Sequence, residues 1–117
     1  MSMKATDFAG AVPVDGYGPG FFRVGGRVHH GPVIVTSDGP AAWHGLDDRA
    51  QLAALAGRVD LLFLGLGAEV AAFPTALIGE LETAGLMVEP MATPTAARSY
   101  NVTLSEGRRV ACALLPV

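Results

Sequence analysis

Residues 93–110, TPTAARSYNVTLSEGRRV, hold most of the groups in this chain that could do chemistry: Arg98, Tyr100, Asn101, Glu106, Arg108 and Arg109. A phenol, an amide, a carboxylate and guanidinium groups so close in sequence can hold an anion, or can tie a helix to its neighbours. The residue order predicts a helix from Pro94 to Glu106, with Thr93 as N-cap, Pro94 at the first helical position and Gly107 just past the end. At helical spacing Ala97, Tyr100, Asn101 and Leu104 share one face. Asn101 then lies among apolar neighbours, where an amide without partners costs about 1–3 kcal/mol. Either it bonds main chain from an adjacent loop, such as the 65–67 turn, and holds the fold, or it meets a ligand; the first is preferred. Arg98 falls on a different face, at the helix edge or in solvent. Glu106 with Arg108 or Arg109 gives at most a solvated ion pair, worth up to ~1 kcal/mol.

The other candidate sets are weaker. Gly65-x-Gly67 follows an apolar run, but a dinucleotide fingerprint needs a third glycine where Val70 stands and a helix that starts at once. Phe73-Pro74 delays that helix. Two glycines at a strand end also suit a tight turn against a neighbour, and such a loop would line any pocket beyond the strand ends. His29 and His30 are adjacent and on a strand point to opposite faces. With His44 in a loop and a single cysteine, no zinc or iron ligand set has workable spacing. Ser99 lies mid-helix, where its hydroxyl bonds back to the helix backbone, and no G-x-S-x-G elbow exists. Cys112 sits in an apolar run and reads as a small buried hydrophobe. No catalytic residue, metal or cofactor is expected.

The elements that must position these groups follow from the apolar pattern. Between Gly10 and Gly45, short β-like runs (FFRV, GRVHH, PVIVTS) alternate with glycines and read as antiparallel strands with tight turns, Gly25-Gly26 making a two-residue hairpin. DDRAQLAALAG reads as a helix with Leu52, Leu55 and Ala56 on one face and Gly57 as its stop. VDLLFLG and RRVACALLP are continuous apolar runs of strand length, as expected of strands covered on both faces. PTALIGELETAG between them is a helix with Pro74 in its first turn and Gly85 at its C-terminal cap, and LMVEPM is a further short strand. Strand, helix, strand, helix, strand implies an α/β fold in three layers: a central sheet with helices on both faces and an N-terminal antiparallel hairpin region.

With 117 residues the chain suits one domain, spanning 1–117, and is too short for two ordinary ones. Half of it is hydrophobic and 16% is charged, a globular rather than a disordered composition. A net charge of -3 argues against nucleic acid as the main partner. The N-terminus, MSMKATDFAG, lacks the apolar run of a secretion signal, and no stretch approaches the length of a membrane span. A cytoplasmic protein without membrane insertion is expected.

The segments LLFLGLG, FPTAL, TAGLMVEPMAT and, most strongly, MATPTAARSYNVTLSEGRRVACAL resemble a small single-domain family of bacteria, archaea and mitochondria, the Mth938-like domains. Its best-known members are mitochondrial respiratory complex I assembly factor three and the adipogenesis-associated domain protein. The resemblance runs from about Tyr17 to Pro116. It implies a three-layer α/β fold with a central mixed sheet. It also implies a cleft walled by Gly65, Gly67, Pro74, Thr93, Ala97, Arg98, Tyr100, Asn101, Glu106 and Arg108. Family members usually carry Asp where this chain has Ala92, so an acid before Thr93 is absent here. The function implied is a non-enzymatic binding or assembly factor that recognises a partner protein, by analogy in respiratory-complex assembly. A homodimer is a further arrangement the sequence permits. The alternative is a small-molecule or anion-binding protein, even an enzyme, with its cleft beyond the carboxyl ends of the strands.

Overall fold

A computed structural model describes residues 8–117; most of the N-terminal stretch read for a secretion signal lies outside the described residues. The two long apolar runs become the centre of the main sheet. β6 (Leu61–Gly65) and β8 (Val110–Leu114) are buried along their whole length. They pair in parallel with each other, and β6 also pairs in parallel with β7 (Met87–Met91). On the far side β4 (Val33–Thr36) runs antiparallel to β8 and to β5 (Gly39–Ala42), giving the order β5-β4-β8-β6-β7. The sheet is therefore mixed.

Period-two alternation divides the core. Leu61, Phe63, Val110, Cys112 and Leu114 turn to one face, while Leu62, Leu64, Ala111 and Ala113 turn to the other. The first face receives α3 (Thr93–Ser105) through Ala96, Ala97, Tyr100 and Leu104. The second receives α1 (Arg49–Ala53) through Leu52 and α2 (Thr75–Thr83) through Leu77 and Leu81, with Trp43 beside them. Helices cover both faces, as the element order predicts.

The N-terminal strands divide in a way the sequence did not reveal. β1 (Val14–Gly18), β2 (Phe21–Val24) and β3 (Arg27–His30) form a separate three-stranded antiparallel sheet. Val14, Phe22 and Val24 on its inner side pack into the same core as α3. The next hairpin, β4-β5, joins the main sheet instead because all four residues of β4 can be buried. The turn between β2 and β3 is the Gly25-Gly26 pair, with φ of 58° and 80°, a left-handed combination that glycine adopts without strain.

Helix ends follow local chemistry with three corrections, the first being that α1 stops at Ala53 and does not run on to Gly57. α2 and α3 each stop in a Schellman arrangement: Gly85 and Gly107 are left-handed, Leu86 N–H bonds Leu81 O at 3.0 Å, and Arg108 N–H reaches Thr103 O at 3.4 Å. At the starts, Pro74 is the cap of α2 rather than its first turn, and Ala92, not Thr93, is the cap of α3. Thr93 is the first residue of the helix, and its hydroxyl is committed to partners outside it.

Candidate functional site

Groups singled out in the sequence fall at three places along α3. A helix of 13 residues is about 20 Å long, so its two ends cannot share one small cleft.

At the N-terminal end, Gly65, Gly67 and Thr93 meet beyond the carboxyl ends of β6 and β7. Thr93 N–H donates to Gly67 O (2.8 Å), and Gly67 N–H donates back to Thr93 Oγ1 (2.8 Å). The same hydroxyl donates to Leu115 O (2.7 Å), and Leu115 N–H closes the set on Gly65 O (2.9 Å). Every polar atom of this fully buried threonine side chain is thus used. Gly65 has no room for a side chain: an added Cβ would lie 2.9 Å from both Leu114 Cδ2 and Thr93 Oγ1. Gly67 has φ of +93°. The glycine pair lets two chain segments meet, and at Gly65 the gap between them is filled by Leu114 and Thr93.

In the middle of α3, the inward face holds the N-terminal sheet. Tyr100, fully buried, donates its phenol to Val12 O (2.8 Å). Asn101 donates to Val14 O (2.7 Å) and accepts from Val14 N–H (2.9 Å), so its carboxamide completes the edge of β1 as another strand would. Asn101 does bond main chain, but that of β1; Thr93, not Asn101, holds the 65–67 turn. Burial, and then the neighbouring Cys112, pushes the Tyr100 phenol far above its ordinary value. Burial likewise raises the Cys112 thiol, against a hydrogen bond from the Val35 backbone. Both stay protonated and unreactive near neutrality.

Beside this seam the surface opens into a groove of about 280 Å³. Val14, Gly16 and Tyr17 line its strand side, and Ala97, Arg98 and Val102 line its helix side. Tyr17 and Val102 are 46% and 54% exposed, two of the five large hydrophobic residues left exposed among the described residues. Arg98 is exposed and forms no ion pair among the described residues. Asp15, also on the groove, is engaged as an acceptor for Gly26 N–H (2.8 Å). Sequence reasoning missed Tyr17 and Val102. The available signals were an aromatic residue between glycines in DGYG, and a valine four positions after Arg98 on an otherwise polar helix face.

At the C-terminal end, Glu106 and Arg108 are both exposed and, among the described residues, unpaired. Arg109 pairs instead with Asp60 (3.0 Å), at the amino ends of β8 and β6, the opposite end of the sheet from Thr93. Ser99 does not bond back to its helix; its hydroxyl points to Met91 Sδ (3.8 Å). His29 and His30 lie on β3 and His44 faces Asp48 (3.2 Å). Among the described residues no three His, Cys, Asp or Glu side chains come together as a metal site, and no helix is long and apolar enough to cross a membrane.

The chain belongs to the family described as a protein of unknown function (DUF498/DUF598), whose family model matches residues 14–115. An uncharacterised protein of Rhodobacter capsulatus is 56% identical over 117 residues, covering all of this chain and 94% of that one. The NADH dehydrogenase (ubiquinone) 1 alpha subcomplex assembly factor 3 of Danio rerio is 29% identical over 97% of this chain and 69% of its own length. Among solved structures, a Bordetella pertussis protein described as a Mth938-like domain superposes with a TM-score of 0.78 at 25% identity, covering 99% of this chain and 92% of that one. A protein of Bartonella henselae described as an outer membrane protein gives 0.82 at 29% identity, covering 95% and 99%. The α/β fold and the Mth938-like resemblance read from the sequence are those of this family.

Proposed function

We propose that the protein is a non-catalytic binding factor that recognises a partner protein through the groove between β1 and α3. The observation that carries this reading is the joint exposure of Tyr17, Arg98 and Val102 around one depression. Exposed aromatic and arginine side chains are the types that dominate protein interfaces. The relative named as an assembly factor supports a role of that kind, and assembly of a respiratory complex is the specific form it suggests. The polar groups that looked most chemical, Thr93, Tyr100 and Asn101, are consumed by internal bonds, which leaves the groove rather than the strand ends for recognition. A cytoplasmic site of action belongs to this reading; fractionation of the host cells tests it against the outer-membrane description of the Bartonella protein.

Affinity capture from the native host tests the reading. Val102→Asp and Tyr17→Ala should lose the captured partner while keeping the wild-type melting temperature, and Met87→Asp, on the remote edge of β7, should keep both. Equal capture by wild type and the two groove variants would overturn it.

A further inference from the structure

The edge of β1 is only partly closed. The two-residue turn at Gly25-Gly26 makes Val24 and Arg27 a hydrogen-bonded pair, so Arg23 and Phe21 turn their main-chain groups to β1, where they oppose Gly16 and Gly18. Val14 and Tyr17, opposite Val24 and Phe22, therefore turn theirs away from β2. Asn101 takes both groups of Val14. Tyr17 is the next residue along this edge to face outward, and its N–H and C=O have no partner among the described residues. They open on the groove that Arg98 and Val102 line.

The far edge of the main sheet is closed differently. Met87 N–H bonds Asp60 O and Leu66 N–H bonds Met91 O, so Val88 and Pro90 are the residues of β7 that face outward. Pro90 has no N–H to offer. An added strand thus finds an open donor and acceptor beside an unpaired cation at β1, and a proline at β7.

We infer that the β1–α3 groove takes an extended segment of a partner protein that carries an acidic side chain, adding it as a short strand beside Tyr17 with its carboxylate on Arg98 and an apolar neighbour on Val102. The inference rests on the partner-binding reading above and names the chemistry of that partner. Main-chain bonds to Tyr17 orient the segment, while the guanidinium fork selects a carboxylate. Charge complementarity fixes the sign on the helix side: Arg98 is the one cation lining the groove and forms no ion pair among the described residues, while the Asp15 carboxylate is turned to the hairpin, where it accepts from Gly26 N–H.

The test is a titration of the ¹⁵N-labelled full chain, followed by NMR, with the peptide acetyl-Thr-Val-Glu-Val-Thr-amide, its Glu→Gln counterpart and sodium acetate. Saturable shifts at Gly16–Gly18 and at Arg98 are expected with the Glu peptide. Binding should weaken about fivefold, the reach of one exposed ion pair, for the Gln peptide and again for Arg98→Ala with the Glu peptide. Absence of saturable shifts at β1, equal binding of the Glu and Gln peptides, or acetate matching the Glu peptide in site and affinity would each overturn the inference, the last in favour of a small-anion site. If Val102→Asp still abolishes partner capture while the peptide fails to bind, only this inference falls. If capture ignores Val102→Asp, the broader reading falls as well.

Discussion

Two regions built on the same helix have opposite characters. At the start of α3, three chain segments far apart in sequence converge on Thr93, and its polar groups are all taken. One and a half turns later, the same helix faces a groove where an aromatic, a cation and an aliphatic side chain are left to solvent. The glycines show the difference most directly. Gly65 would crowd Leu114 and Thr93 if it gained a single carbon, whereas Gly16 on the groove would meet nothing within 4 Å. A polar residue type is thus a poor guide to function by itself. What separates the regions is whether the polar atoms already have partners.

Substitutions should break or sharpen this contrast, and the largest effect is expected at Thr93. Thr93→Val preserves shape but leaves Gly67 N–H and Leu115 O without partners, which should cost about 3 kcal/mol, measured by chemical denaturation. A loss below that of an ordinary surface change would mean that water replaces the hydroxyl and that the strand end is not closed. Gly65→Ala should cost about 1–3 kcal/mol through overpacking. Asn101→Ala strips both partners from Val14 at a half-buried site and should cost about 1–2 kcal/mol, with faster amide exchange at Val14 as its local signature.

Alkaline pH probes the core between the two regions. Cys112 and Tyr100 keep their protons in the fold beyond their ordinary values of 9.0 and 10.0, so the unfolded chain releases protons that the folded chain retains. Their contribution is fully present below those values and is lost as pH rises above them, by about 1.4 kcal/mol per pH unit for each group. Denaturation midpoints should therefore decline above pH 9.0, and Cys112→Ala should flatten the first part of that decline. The smallest effects belong to the groove itself: Gly16→Ala and Arg98→Ala should change stability by less than about 0.5 kcal/mol. If either destabilised the protein as much as Gly65→Ala does, the groove would be structural and the contrast would fail.

How far this was legible in the sequence depends on the range of the interaction involved. The strands β6 and β8 were legible because burial on both faces leaves an unbroken apolar run, and the ends of α2 and α3 were legible because glycine supplies the left-handed residue each requires. Helix starts were read one residue off. A threonine before a proline is a good local cap, but the partners that claimed the Thr93 hydroxyl lie 26 and 22 residues away, beyond any local rule. Asn101 was correctly read as needing main-chain partners, yet which strand supplies them depends on how β1–β3 separate from the main sheet. Pro74 of the cleft set caps α2 on the other face of the sheet, and the remaining residues divide among three places because resemblance orders them along the chain and α3 then spreads them over its length. Tyr17 and Val102 escaped because an exposed apolar side chain has no spacing rule of its own.

The bonds from Tyr100 to Val12 and from Asn101 to Val14 span 88 and 87 residues. Contacts of such long range form late, after the loop-closure entropy of most of the chain has been overcome. During synthesis residues 14–30 are made well before α3, which begins at Thr93. For that interval Val14, Phe22 and Val24 lack the helix that covers them, and Val14 lacks the carboxamide that closes the edge of β1. The helix that later holds this sheet in place is thus also what ends its exposure to aggregation, so variants of Asn101 should lower the soluble yield at high expression more than their equilibrium stability implies.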